Sequence, residues 1–577
     1  MSERPPEAAR SGHGAGAGNN RPPLVPLSRA LPALAGLLLT AACGPDGPAL
    51  VDVTGESGVR FRHDNGFRDS YAFPETMGSG VALVDLNGDG ELDLYALQGG
   101  VVPEGPADGP EAGPRPVNRL FLGRGGGRLE DATERSGDAA DPGLAMGVCA
   151  GDVDGDGALD LFVTQYGPDL LLQNDGGARF RETAAGTPLA DPRWNTACGF
   201  ADLDADGQLD LVVIGYLARE LALLRPCEAD GVRDYCDVVL YTGIGDRAWK
   251  GDGRGGFEER TEAWGLGGRA GKGLGLALVD LDDDGDVDLY VANDSVENHL
   301  YLNRGDGRLE DRTQLAGAAY SVEGLAEAGM GVAVADVDAS GLPDLFVTNF
   351  AGESNTLYVN RGAGLFRDRS RPSGLTAWSR TPLGFGTTFA DFDRDGREDL
   401  VVTNGHVLRH LGERRELWTY AQPDQLFRGL AGGRFEPWDA GPDLARPTVG
   451  RGLACGDLDG DGAPDLALSS SGGELRILAG RLALPGSRWL QVRPRARGGN
   501  TAAIGARVRL ELRDGSLQTR WVRSGTGYLS QDDLRPLFGI PPGAGVERLS
   551  VRWPDGSESE HRVPELDRAL AVEQPGP

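Results

Sequence analysis

Asp85-Leu-Asn-Gly-Asp-Gly-Glu-Leu-Asp93 is the first of seven nine-residue segments of the form D-x-[DNS]-x-[DS]-G-x-x-D; the others begin at Asp152, Asp202, Asp280, Asp336, Asp391 and Asp457. Successive starts lie 67, 50, 78, 56, 55 and 66 residues apart, the spacing of a structural repeat with variable inserted loops. Positions 1, 3, 5 and 9 offer side-chain oxygens. They are Asp85, Asn87, Asp89 and Asp93; Asp152, Asp154, Asp156 and Asp160; Asp202, Asp204, Asp206 and Asp210; and Asp280, Asp282, Asp284 and Asp288. The last three loops supply Asp336, Asp338, Ser340 and Asp344; Asp391, Asp393, Asp395 and Asp399; and Asp457, Asp459, Asp461 and Asp465. Position 7 can add a carbonyl, and the Gly at position 6 lets the chain fold around an ion. So many hard oxygen donors suit Ca²⁺ better than softer transition metals, and about seven structural calcium sites are expected.

An EF-hand opens similarly but needs a bidentate Glu at position 12 and flanking helices. Position 12 here is Ala96, Val163, Val213, Val291, Val347, Val402 or Leu468, so that reading fails. Each loop is instead entered and left by short apolar runs, such as Gly331-Val-Ala-Val-Ala335 and Leu345-Phe-Val-Thr348, which read as a strand hairpin. A second phrase follows most loops, as in Asn298-His-Leu-Tyr-Leu-Asn-Arg-Gly-Asp-Gly-Arg-Leu-Glu-Asp-Arg-Thr313. Its Gly-rich turn between alternating stretches gives a second hairpin. Two hairpins per repeat make a four-stranded blade, and seven blades make an all-β, seven-bladed β-propeller over residues 50–480. The last repeat lacks an outer strand of this kind. Leu50-Val-Asp-Val-Thr-Gly-Glu-Ser-Gly-Val59 resembles the missing piece, so the N-terminal strand is expected to close the ring. Residues 487–574 alternate apolar with polar or Arg residues, as in Ala506-Arg-Val-Arg-Leu-Glu-Leu512, and read as a small β-sandwich.

The 577 residues include 57 Lys and Arg against 87 Asp and Glu, a formal charge of −30. Such a surface repels phosphate, which excludes a nucleic-acid partner. Twenty-six of the acids stand at positions 1, 3, 5 and 9 of the seven loops, and seven Ca²⁺ would bring the charge to −16. Without metal, carboxylates a few ångströms apart repel one another or take up protons.

Residues 1–43 read as a signal segment. Arg21 and Arg29 precede the apolar run Leu31–Leu39, too short to span a bilayer, and Thr40-Ala-Ala-Cys43 resembles a lipobox. The mature chain is expected to be exported: periplasmic, anchored to the outer membrane by lipidation of Cys43, or secreted. The membrane would be met only through that anchor, and the protein is expected to be monomeric. Cys227 and Cys236 lie nine residues apart and are expected to form a local disulfide. Cys149, Cys198 and Cys455 fall inside expected strands and read as small buried thiols.

Several phrases carry a resemblance: Pro74-Glu-Thr-Met-Gly-Ser-Gly-Val-Ala82, Leu383-Gly-Phe-Gly-Thr387, Thr403-Asn-Gly-His-Val407, Arg523-Ser-Gly-Thr-Gly-Tyr-Leu-Ser-Gln531 and Val551-Arg-Trp-Pro-Asp-Gly556. With the Asp loops, they resemble the FG-GAP/VCBS repeats of the integrin α-chain head and, more closely, the cartilage acidic protein family with its ASPIC/UnbV domain. The resemblance implies a calcium-bearing propeller with extracellular interaction roles and fixes no single chemistry.

Outside the loops, His406 is a candidate base or ligand at the propeller axis, set against the commoner hydrogen-bonded structural histidine. Arg523, Tyr528 and Gln531 can recognise a ligand, or their Gly-bent loop can pack on the propeller. No nucleophile elbow, phosphate-binding Gly loop or helical metalloprotease motif is present. The reading favoured is an extracytoplasmic protein that binds a protein or glycan, with structural Ca²⁺. The alternative is a calcium-dependent hydrolase, lyase or cyclase acting at the propeller axis.

Overall fold

The computed structural model describes residues 49–105, 115–229, 231–410 and 418–576. The signal segment and Cys43 lie outside the described residues. Each Asp loop joins the first two strands of a four-stranded antiparallel sheet, and in every one of these sheets but the last the strands follow one another in chain order. The first sheet is Val81–Val84, Asp93–Ala96, Arg119–Gly123 and Leu129–Asp131. The fourth, Gly273–Val279, Asp288–Asn293, His299–Asn303 and Leu309–Asp311, has the same plan. The last begins with Gly450–Gly456, Asp465–Ser470 and Arg476–Gly480, and its fourth strand is Leu50–Asp52, paired Leu50 with Gly480 and Asp52 with Leu478.

The first strands pack side by side in chain order. Val81–Val84 meets Ala145–Gly151, and the succession runs through Asn195–Ala201, Gly273–Val279, Val332–Ala335, Gly384–Ala390 and Gly450–Gly456 back to Val81–Val84. This all-β ring is consistent with a β-propeller. Near-continuous burial of the first two strands follows, because each is covered by a neighbouring sheet on both faces.

Recurrent polar residues fasten the repeats. After the D-x-T step, the hydroxyl accepts a third-strand N–H: Leu120 on Thr133, Leu300 on Thr313, Leu357 on Ser370 and, through the N-terminal strand, Ile477 on Thr54. The Asn that opens the turn after the third strand, N-D-G at Asn174 and N-R-G at Asn303 and Asn360, reaches the preceding sheet, its Nδ2 donating to the carbonyls of Leu86, Leu203 and Leu281 at 2.7–2.8 Å. Thr348 and Thr403 donate to Phe385 O and Arg451 O of the next sheet at 2.8 Å, and Ser469 to Ser79 O across the closure. A buried hydroxyl or amide left without a partner is costly, so these positions are fixed in type.

The C-terminal segment forms a three-stranded sheet, ordered Leu537–Ile540, Arg488–Arg495, Arg568–Glu573, and a four-stranded one, ordered Leu517–Trp521, Arg507–Leu512, Val546–Arg552, Glu558–His561. Alternate residues Val508, Leu510, Leu549 and Val551 of one sheet are buried with Leu490, Val492, Phe538 and Ile540 of the other, the period-2 pattern expected of facing sheets.

Cysteine pairing corrects one expectation. Cys149 and Cys198, expected as thiols, form a disulfide, since neighbouring inner strands bring their Cα atoms within 5.7 Å. Cys227 and Cys236 are also bonded, and Cys455 is a buried thiol. Two disulfides indicate an oxidising, extracytoplasmic compartment. Among the described residues no helix is long and apolar enough to cross a membrane.

Candidate metal centres and the axial plug

The Asp loops share one geometry. The position-9 carboxylate accepts the position-2 N–H, from Leu86, Val153, Leu203, Leu281, Val337, Phe392 or Leu458, at 2.7–3.0 Å. Its other oxygen accepts a third-strand N–H, from Gly123, Asn174, Gly251, Asn303, Asn360, Gly429 or Gly480, at 2.7–3.0 Å. Position 9 therefore ties the loop to two strands before any ion arrives. In six loops the position-1 carboxylate accepts the position-6 Gly N–H at 2.8–3.0 Å. All seven of those glycines lie at φ 82–107°, where a side chain is strained.

These bonds leave oxygens over. Asp152, Asp154 and Asp160 each place a carboxylate oxygen within 4.8 Å of the others, and so do Asp280, Asp282 and Asp288, Asp336, Asp338 and Asp344, and Asp391, Asp393 and Asp399. Asp204 Oδ1, Asp280 Oδ1 and Asp338 Oδ1 are buried with no hydrogen-bond partner. Burial pushes Asp93 and Asp160 up to about 7 and Asp210 and Asp344 up to about 8, and raises Asp288, Asp399 and Asp465 well above the usual carboxylate range. Clustered, desolvated and partly unpartnered carboxylates fit a hard divalent cation, which would supply the charge that burial withholds.

The loops differ in their neighbours. Lys250 Nζ bonds Asp204 and Asp206, Arg428 lies on Asp393 and Asp395, and Arg481 lies on Asp459 at 2.9 Å and Asp461 at 3.4 Å. The C-terminal sheets lie against this side of the ring. Arg493 and Arg535 donate to Gly90 O, Arg509 to Gly341 O, and Arg552 to Asp284 O at 2.8–3.2 Å. Arg507 pairs with Asp283, and Thr501 donates to Asp152.

Ser524 to Asp532 form a plug on the inner strands. Val332 and Gly527 exchange two backbone bonds, and Gln531 does the same with Val81 and Leu83, at 2.9–3.0 Å. Val148 N–H donates to Leu529 O, and Ala150 N–H to Gln531 Oε1. Asp532 accepts from Cys455 N–H at 2.8 Å and Thr388 Oγ1 at 3.0 Å. A Cβ on Gly525 would stand 2.1 Å from Cys198 O. The inner edge of each sheet carries unpaired backbone groups, and the plug supplies partners for many of them. Tyr528 and Gln531 are fully buried in it and Arg523 is half-buried; the loop packs on the ring. His406 is buried, accepts the Leu408 N–H on Nδ1 at 3.0 Å, and is pushed down to about 4 by burial, so it is neutral at physiological pH.

Sequence reasoning missed the Cys149–Cys198 bond, whose partners are 49 residues apart, and the cations on particular loops. Lys250 and Arg428 stand immediately before Gly251 and Gly429, the third-strand residues that bond position 9. Aligning the third strands would have found them.

Residues 111–163, 152–213, 280–347 and 336–402 match the FG-GAP-like repeat, and residues 496–577 match the ASPIC and UnbV family. The chain thus carries FG-GAP-like repeats followed by a C-terminal UnbV/ASPIC domain. It is a distant homologue of cartilage acidic protein 1, 28% identical to the Homo sapiens protein over 316 residues, 52% of this chain and 44% of that one. Identity to the Xenopus tropicalis protein is 29% over 294 residues, 49% of this chain and 42% of that one. The match spans less than half the length of these curated relatives. Among solved structures, an Agrocybe aegerita lectin that recognises non-reducing terminal N-acetylglucosamine aligns with TM-score 0.41 and 15% identity over 64% of this chain and 82% of its own.

Proposed function

We propose that the protein is an extracytoplasmic calcium-binding β-propeller of seven blades, residues 50–480, that with its C-terminal domain, residues 487–574, binds a protein or glycan ligand. In this reading Ca²⁺ is structural. It would be held by the oxygens at positions 1, 3, 5 and 9 of the Asp loops and would neutralise buried carboxylates that otherwise repel one another. The observation that carries the reading is the shared oxygen cage of the loops, set on buried position-9 aspartates that each accept one N–H from their own loop and one from the third strand. Binding is favoured over catalysis because the plug occupies the inner strands and His406 is neutral and tied to backbone. The test is a glycan and surface-protein array probed with the protein in Ca²⁺ and in chelator. Calcium-dependent capture of a defined ligand is expected; silence of the folded, calcium-loaded protein on both arrays would contradict it.

A further inference from the structure

One cleft inverts the charge of the molecule. The turn from Ser470 to Glu474 joins the second and third strands of the last sheet, at the ends away from its Asp loop. Beside it lies a cleft of about 820 Å³ lined by five arginines and two acids, Asp64 and Glu474, in a chain where acids outnumber bases 87 to 57. Three of the arginines are already paired: Arg68 with Asp64 at 2.7 Å, Arg446 with Asp52 at 3.1 Å, and buried Arg476 with Asp424. Arg62 and Arg409 have no carboxylate partner among the described residues. Arg62 is exposed and donates only to Gly472 O at 2.9 Å. The Arg409 guanidinium donates through Nε to Tyr235 Oη at 3.5 Å and lies 3.7 Å from the Phe67 ring centroid and 5.0 Å from that of Tyr420, a cation–π setting that holds it in place. Under the floor, Thr448 Oγ1, Ser470 Oγ and Arg476 Nε are buried without hydrogen-bond partners. Such atoms are costly unless a ligand or water satisfies them.

We propose that this cleft binds an acidic saccharide, its sulfate or carboxylate groups on Arg62 and Arg409. Paired guanidinium groups suit oxyanions. The cleft is far larger than one oxyanion, and the Phe67 and Tyr420 rings in its lining match a sugar better than a bare ion. The assignment rests on reading the protein as a binding module and names the ligand class of that module.

Calorimetry of the full chain in Ca²⁺ tests it, with a heparin-derived hexasaccharide, a hyaluronan hexasaccharide, chitohexaose and sodium sulfate as probes. Both acidic oligosaccharides are expected to bind at least tenfold more tightly than chitohexaose or sulfate, and more weakly as salt rises. The double variant Arg62→Ala, Arg409→Gln is expected to lose at least tenfold in affinity at an unchanged melting temperature, and Arg62→Lys to retain binding. Should the double variant melt lower, Arg62→Ala alone decides, since that exposed side chain makes one backbone bond. Absence of acidic-saccharide binding, equal affinity for chitohexaose or sulfate, or affinity untouched by Arg62→Ala would overturn the assignment. If another ligand is still captured on the arrays, the binding-module reading stands and only this cleft's assignment falls.

Discussion

The loops Asp152–Asp160 and Asp202–Asp210 both carry Asp at positions 1, 3, 5 and 9, and both tie position 9 to the same two backbone N–H groups. They differ one strand away. Gln173 precedes Asn174 beside the first loop, whereas Lys250 precedes Gly251 beside the second and places its ammonium on Asp204 and Asp206. A side-chain cation thus occupies part of the field that a divalent ion would fill, although no loop residue records it. The lesson is that a repeated ligand set fixes the shape of a site and its third-strand neighbour sets the charge that it offers.

The sharpest way to break the comparison is to remove position 9 from each loop. Asp160→Ala and Asp210→Ala each strand two N–H groups, at about 1–3 kcal/mol apiece. Both variants should therefore melt lower even in chelator, and in calcium Asp160→Ala should lose the larger increment. Equal losses in calcium would show that Lys250 is electrostatically irrelevant. Exchanging the neighbours is a smaller perturbation. Lys250→Gln should strengthen calcium uptake at Asp202–Asp210, and Gln173→Lys should weaken it at Asp152–Asp160, each by roughly tenfold, about 1.4 kcal/mol. Titration calorimetry of the two variants reads the exchange directly.

A pH series sharpens the role of the buried acids. Asp160 and Asp210 are raised to about 7 and about 8 by burial, so the metal-free fold takes up protons relative to the unfolded chain. Their stabilisation in the protonated form is complete below the unfolded carboxylate range, near ~4, and is lost as pH rises through about 7 to 8. In chelator the melting temperature should fall progressively from about pH 4 to about pH 8 and then level off. In calcium the fall should vanish, because metal replaces the proton and is bound by the ionised form. A fall of equal size with and without calcium would separate these acids from metal binding. The smallest effect is expected from Thr501→Val, which removes one hydroxyl bond to Asp152 and should cost about 1 kcal/mol.

Much of this was legible in the sequence because the repeats repeat their physics. The D-x-[DNS]-x-[DS]-G-x-x-D period located the hairpins, and the likeness of Asp52-Val-Thr54 to Asp311-Arg-Thr313 located the closing strand, since both D-x-T steps use one hydroxyl to hold a third-strand N–H. Features that occur once were harder to read. The Arg523–Gln531 loop has no internal copy to calibrate it, and its purpose depends on edge groups from strands hundreds of residues away, such as Val81 and Val148. Cys149 and Cys198 belong to different sheets, so only their adjacency in the ring reveals the pair. The Arg cleft likewise assembles residues from 62 to 476, and the two guanidinium groups without a carboxylate become visible only when the other arginines find their acids.

The most direct test of the account is thermal unfolding in excess Ca²⁺ and in chelator, with bound metal counted by native mass spectrometry. A ligand confined to the native state adds ~4 kcal/mol per site at a thousandfold excess over Kd, so several filled loops must raise the melting temperature substantially. The account predicts a large upward shift and a count approaching seven, with the loop beside Lys250 among the last to fill. No shift and no bound metal would contradict it, leaving the Asp loops as backbone-bonded turns.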